Sequence, residues 1–127
     1  MSGGALPDVE PFDDRTPIYQ QIADRLRDAI LAGELPEESQ VMSTTQYATT
    51  YRINPATAAK AMSALVDEGL LHKRRGLGMF VSPGAREHLR TSRRETFWDD
   101  AVRPVAEQAR ALGISTDQLI AYLKEQQ

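Results

Sequence analysis

Cysteine is absent from this chain of 127 residues, which excludes disulfides, thiol nucleophiles and cysteine-built zinc sites. Histidine occurs only as His72 and His88, with neither the HExxH pattern nor any other ligand spacing. There is no serine elbow, and Gly76-x-Gly78 is too short for a dinucleotide fingerprint. No apolar run approaches the roughly 18 residues that a bilayer-crossing helix needs. The opening stretch "MSGGALPDVEPFDD" lacks the basic region and apolar core of a secretory signal. These absences lead us to expect a cytoplasmic protein without a membrane partner, and not an enzyme.

Positive charge is also in deficit, 15 basic against 18 acidic side chains for a formal charge of −3, but its distribution is uneven. Residues 1–41 hold nine acids and three bases, or −6; residues 42–83 hold two acids and five bases, or +3; residues 84–127 carry seven of each. A polyanion responds to the local field more than to the sum. The middle third is therefore where a nucleic-acid contact is expected.

Residues 1–15, rich in Gly, Pro and Asp, are expected to form a flexible acidic arm, part of which could be a cloning remnant. Thr16-Pro17 then predicts a helix start, with a capping hydroxyl followed by proline in the first turn. Ile18, Ile22, Leu26 and Ile30 make one apolar stripe that ends at Gly33. A loop and a short extended piece around Gln40–Met42 follow. Ser43-Thr44-Thr45-Gln46 is a capping box that opens a short helix. Asn54-Pro55 opens another by cap-plus-proline logic, with Ala58, Ala61, Met62, Leu65 and Val66 expected on its buried face. Two strand-like runs joined by Gly76-Leu77-Gly78 then predict a β-hairpin. The stretch "KRRGLGMFV" leaves Lys73, Arg74 and Arg75 at its exposed end. From about Gly84 the chain is expected to be helical again, with Pro104 either kinking this segment or starting a new helix. Ser115 to Gln118 is a further capping box before a final helix.

Helix, short strand, helix, tight turn, helix and hairpin, in that order, describe a winged helix-turn-helix. The expected fold class is α+β, mainly α: a winged DNA-binding domain over 16–83, then a small helical dimerisation segment over 84–127. In such a unit the second helix of the pair enters the major groove, while a cationic hairpin tip meets neighbouring phosphates or the minor groove. Candidate DNA contacts are Ser43, Thr44, Thr45, Arg52, Asn54, Ala56, Thr57 and Lys60, together with Lys73, Arg74, Arg75, Gly76 and Gly78 in the wing. Lys60 can reach a guanine edge and Thr57 a phosphate or a thymine methyl. Asn54 could equally be only a cap, and Thr57 could back-bond within its first turn.

"PIYQQIADRLRDAILAGEL", "INPATAAKAMSALVDEGLL" and "KRRGLGMFV" together resemble the GntR family of bacterial transcription regulators over about residues 16–83. The short tail and "INPAT" resemble its YtrA-like branch. The resemblance implies a DNA-binding repressor that acts as a homodimer on double-stranded DNA. The sequence departs from the family where an arginine is usual in the second helix, since Thr45 stands there, and where arginines of other branches fall on Pro55 and Ala59.

The tail carries Phe97, Trp98, Val105, Leu112, Leu119, Ile120 and Leu123, more apolar side chain than a short helical segment covers internally. We expect these residues to form the dimer interface. No cofactor or metal is expected; a small-molecule effector beside Trp98 is compatible with the sequence, its identity open. The competing reading is a winged-helix protein-assembly module with no DNA role, which the cationic wing disfavours.

Overall fold

The computed structural model describes residues 12–127. Most of the expected acidic arm, residues 1–11, lies outside that range. The elements are α1 (Ile18–Ala32), α2 (Thr44–Tyr51), α3 (Pro55–Asp67), β1 (Leu71–Arg74), β2 (Gly78–Val81), α4 (Ala85–Phe97), a π-helical turn (Trp98–Val102), α5 (Arg103–Leu112) and α6 (Thr116–Glu125). They divide into two compact units, one reaching to Arg90 and the other comprising Thr91–Gln127.

In the first unit α1, α2 and α3 enclose a single core. Ile22, Leu26 and Ile30 of α1 meet Tyr47 and Ala48 of α2, and Ala58, Ala61, Met62 and Leu65 of α3. Leu70, Leu71 and Val81 of the hairpin close it, joined by Ala85 and Leu89 of α4, beyond the expected boundary at residue 83. Each fully buried Leu or Ile contributes about 1.5–3 kcal/mol. Ala58 and Ala61, both fully buried, leave no volume for a longer side chain without overpacking. Two expected core members are instead on the surface: Ile18 is 40% and Val66 37% exposed. Ile18 opens α1, ahead of the turns that pack on α3, and Val66 lies at the edge of the α3 stripe.

Local chemistry sets most boundaries. Ser43 Oγ accepts from Gln46 N at 3.0 Å while Gln46 Oε1 accepts from Ser43 N at 2.9 Å, completing the capping box of α2. Asn54 Oδ1 accepts from Ala56 N at 2.7 Å, with Pro55 in the first turn of α3. Ser115 repeats the box at α6. The start of α1 differs from expectation: Pro17 is itself the N-cap and makes no side-chain capping bond. Thr16 is not the cap; its carbonyl and that of Asp13 each accept from Gln21 Nε2 at 2.8 Å. Residues 12–15 of the expected arm are thus tied to α1, and the Arg25 guanidinium lies 4.2 Å over the Phe12 ring.

Arg27 links α1 to the end of α3. Its guanidinium donates to both carboxylate oxygens of Glu68, through Nε at 3.0 Å and through Nη2, and also to Asp24 at 2.8 Å. The hydrogen bond to Glu68, foremost, holds the Arg27 proton more firmly than usual.

The hairpin pairs Leu71 with Val81, His72 with Phe80, Lys73 with Met79 and Arg74 with Gly78. The turn is therefore Arg75-Gly76-Leu77, closed by Leu77 N donating to Arg74 O at 2.9 Å, and Gly78 belongs to β2 rather than to the link. On the other side of β2, Gln40 bridges Phe80, as the expected extended piece requires. Val41 N donates to Met79 O at 2.9 Å and Glu38 N to Val81 O at 2.8 Å, extending that pairing.

In the second unit a π turn precedes α5, with Arg103 N bonding back to Trp98 O. Pro104 sits in the first turn of α5. A proline ring clashes with the carbonyl four residues earlier in a regular α-helix, and the wider π turn relieves that clash. Pro104 thus follows a π turn in a backbone that stays right-handed at Phe97, Val102 and Arg103, and it does not open a separately capped helix.

Candidate nucleic-acid interface

The turn between α2 and α3 is three residues, Arg52-Ile53-Asn54. Arg52 caps α2 in the left-handed region (φ 54, ψ 51) and its N–H bonds to Ala48 O. Ile53 N shares that carbonyl at 3.0 Å. A non-glycine residue there carries about 1–2 kcal/mol of backbone strain. The conformation turns the chain sharply and leaves the Arg52 side chain exposed at the mouth of the helix pair.

At the start of α3, Asn54 and Ala56 are exposed and Thr57 is half-buried. Asn54 Oδ1 is committed to its cap, leaving only its amide nitrogen for a partner. Among the described residues the Thr57 hydroxyl makes no hydrogen bond, so the back-bonded alternative is not adopted. Ser43 Oγ is committed to the capping box, while Thr45 is exposed and Thr44 half-buried beside it. Lys60 is exposed, but its ammonium lies 4.1 Å from the centre of the Tyr19 ring on α1. That cation–π contact orients a flexible stem at little desolvation cost.

From α3 the chain passes through Glu68 and Gly69 straight into the wing, Leu70 N bonding to Leu65 O at 2.9 Å. Lys73 and Arg75 are exposed, and among the described residues neither side chain makes an ion pair or hydrogen bond. Arg74 is different. Its Nη2 donates to Glu38 Oε1 at 2.8 Å, its Nε to His72 Nε2 at 3.3 Å, and its guanidinium lies 4.3 Å over the Phe80 ring. His72 Nδ1 in turn meets Ser82 Oγ at 3.1 Å. Arg74 thus crosses β2 to reach the far side of the sheet.

Gly76 has φ +77 with nothing near its missing side chain, so turn geometry demands it. Gly78, with φ +119, lies against Gln40, whose Nε2 donates to Leu77 O at 2.8 Å. Sequence reasoning assigned neither Glu38 nor Gln40 to the site. Glu38 sits in a loop read only as a connector and Gln40 in the short extended piece after it, and their partners are 36 and 37 residues away. Among the described residues no group of His, Asp or Glu is arranged to hold a metal.

In the second unit Phe97, Trp98, Val105, Leu112, Ile120 and Leu123 are all exposed, Leu112 to 74% and Trp98 to 67%, and Leu119 is half-buried. Phe97 and Trp98 meet edge to face, centroids 5.4 Å apart, and with Arg94 line an open cleft of about 610 Å³.

Three helices, a three-residue turn ahead of a capped α3 and a cationic wing define a winged helix-turn-helix protein. Residues 18–81 match the family model "Bacterial regulatory proteins, gntR family", and the chain belongs to that family. It is 42% identical over 66 residues to the HTH-type transcriptional repressor NagR of Bacillus subtilis, covering 52% of this chain but 27% of NagR. It is 28% identical over 110 residues to the HTH-type transcriptional repressor YtrA of the same organism, covering 87% of this chain and 84% of YtrA. A GntR family transcriptional regulator from Listeria monocytogenes superposes with a TM-score of 0.72 at 25% identity, covering 90% of this chain and 98% of that one. The chain spans about a quarter of NagR's length and most of YtrA's. These relatives are transcriptional regulators, in agreement with the expectation that the chain is not an enzyme.

Proposed function

We propose that the protein is a sequence-specific DNA-binding transcriptional regulator, a repressor that binds an inverted repeat as a homodimer. The observation that carries this reading is the exposed cap Asn54 and the exposed Ala56 and Lys60 of α3, followed in the wing by exposed Lys73 and Arg75, which among the described residues make no ion pair or hydrogen bond. Asn54, Ala56, Thr57 and Lys60 read base edges or adjoining phosphates from the major groove. Ser43, Thr44, Thr45 and Arg52 meet the backbone beside them. Lys73, Arg74 and Arg75 reach the next phosphates; Gly76 gives the wing its tight turn and Gly78, the first residue of β2, lets the backbone approach DNA closely.

The repressor names of NagR and YtrA support the sign of regulation. The exposed apolar side chains of α5 and α6 support a homodimer, and two half-sites follow from twofold symmetry. The cleft lined by Arg94, Phe97 and Trp98 is where a small-molecule effector fits.

Selection of bound sites from random duplex DNA tests the reading. Recovery of an inverted repeat, with affinity that falls steeply with salt, is the expected outcome. A protein-assembly module would instead give no enrichment and a flat salt response.

A further inference from the structure

The pairing of Arg74 with Glu38 carries a consequence for DNA binding. Arg74 is one of three consecutive wing cations, yet among the described residues it alone of the three forms an ion pair. Glu38 occupies the left-handed region (φ 67), where glycine or asparagine is unstrained and a glutamate is not. Backbone economy does not explain a glutamate there; its side chain does, because its carboxylate reaches the guanidinium. The pair is also replaceable. Both side chains are substantially exposed, Arg74 to 41% and Glu38 to 53%, so solvent screens the attraction and a competing anion can take Glu38's place. The guanidinium itself is held ready, over Phe80 and against His72 Nε2.

We propose that Glu38 is a specificity-determining residue: an internal carboxylate that competes with DNA phosphate for Arg74 and so restrains sequence-independent binding by the wing. This rests on the DNA-binding reading above. On a correct site, base contacts from α3 seat the wing close enough for phosphate to displace Glu38. On random DNA, the exchange gains nothing beyond the pair it breaks.

The test compares Glu38→Gln and Glu38→Gly with Glu37→Gln, which removes the same net charge one residue away. Affinity for random duplex DNA is measured over a salt series. Both Glu38 variants are expected to bind random duplex roughly tenfold more tightly, with a salt slope steeper by about 0.9, as one further neutralised phosphate requires. Glu37→Gln should change affinity far less, and adding Arg74→Ala should abolish the gain from Glu38→Gln. If Glu38→Gln and Glu37→Gln bind equally, or if the Glu38 variants bind more weakly because the pair merely braces the wing, the inference is overturned and the DNA-binding reading stands. If neither wild type nor the Glu38 variants bind duplex at low salt, both fall. Binding by the Glu38 variants alone would uphold it.

Discussion

Gln40 and Gly78 are fitted to each other: a methyl group at position 78 would stand 2.7 Å from Gln40 Nε2, the same nitrogen that donates to Leu77 O at 2.8 Å. The amide can swing aside, so the steric clash is relieved at the expense of the hydrogen bond that braces the wing turn. Gly78→Ala should destabilise the protein by about 1–3 kcal/mol, combining left-handed strain with the lost bond. Once Gln40→Ala has removed that bond, Gly78→Ala should cost less. Denaturant unfolding of the two single variants and the double variant measures the coupling, expected at about 1 kcal/mol.

Arg52 separates stability from binding. Its backbone is left-handed (φ 54), so Arg52→Gly should leave stability unchanged or raise it by up to about 1 kcal/mol. The same change should weaken DNA binding and make the salt slope shallower by about 0.9, since one cation is lost. Chemical denaturation and a salt titration on one preparation check both halves.

Tyr47 is buried at 1% exposure, and among the described residues its hydroxyl has no hydrogen-bond partner. Tyr47→Phe should therefore be neutral or stabilising by up to about 1 kcal/mol. Burial foremost, and the neighbouring Tyr51, push the Tyr47 phenol well above its ordinary range. A raised phenol favours the folded state fully below the unfolded value near 10. That contribution is lost as alkalinity rises beyond it. Stability measured from pH 8 to 11 should fall less steeply in Tyr47→Phe than in wild type.

Lys60 and Arg75 differ in what surrounds them. Lys60→Ala removes the contact with Tyr19 and should cost about 0.5–1 kcal/mol of stability while altering sequence preference among selected sites. Arg75→Ala should leave stability unchanged within about 0.5 kcal/mol. It should weaken binding to every sequence alike and reduce the salt slope by about 0.9. Unfolding curves and binding to a panel of variant sites distinguish them.

For assembly, Leu112→Asp with Leu123→Asp tests the second unit without disturbing a core, because both side chains are exposed at 74% and 62%. Sedimentation should show the double variant as a monomer at concentrations where wild type is a dimer, with unchanged helix content. A dimer in both would locate the interface elsewhere.

What could be read from the sequence was the local chemistry. The boxes at Ser43 and Ser115 and the cap at Asn54 each involve residues two or three apart, so their geometry follows from identity and spacing alone. Thr16 misled because a hydroxyl before proline satisfies the same pattern, whereas the Gln21 side chain bonds the Thr16 carbonyl instead. Ile18 and Val66 fit their helical periods yet are only partly covered by neighbours, staying 40% and 37% exposed. The state of Arg74 was illegible, since Glu38 reaches it only after β2 has been laid between them. A run of three cations looks uniform in sequence, but strand alternation sets Lys73 and Arg74 on opposite faces of β1 while Arg75 falls in the turn.

The π-helical turn at Trp98–Val102 fits one residue more into its length than an α-helical path would. A π turn absorbs such a residue without rotating the helix that follows, because the chain rejoins the α-helical path one residue later. Deleting a single residue there would close the turn to an ordinary α-helical one and return the Pro104 clash, yet leave Val105 and Leu112 facing the same way, so the bearing of those exposed side chains tolerates a change in the count of amino acids before them.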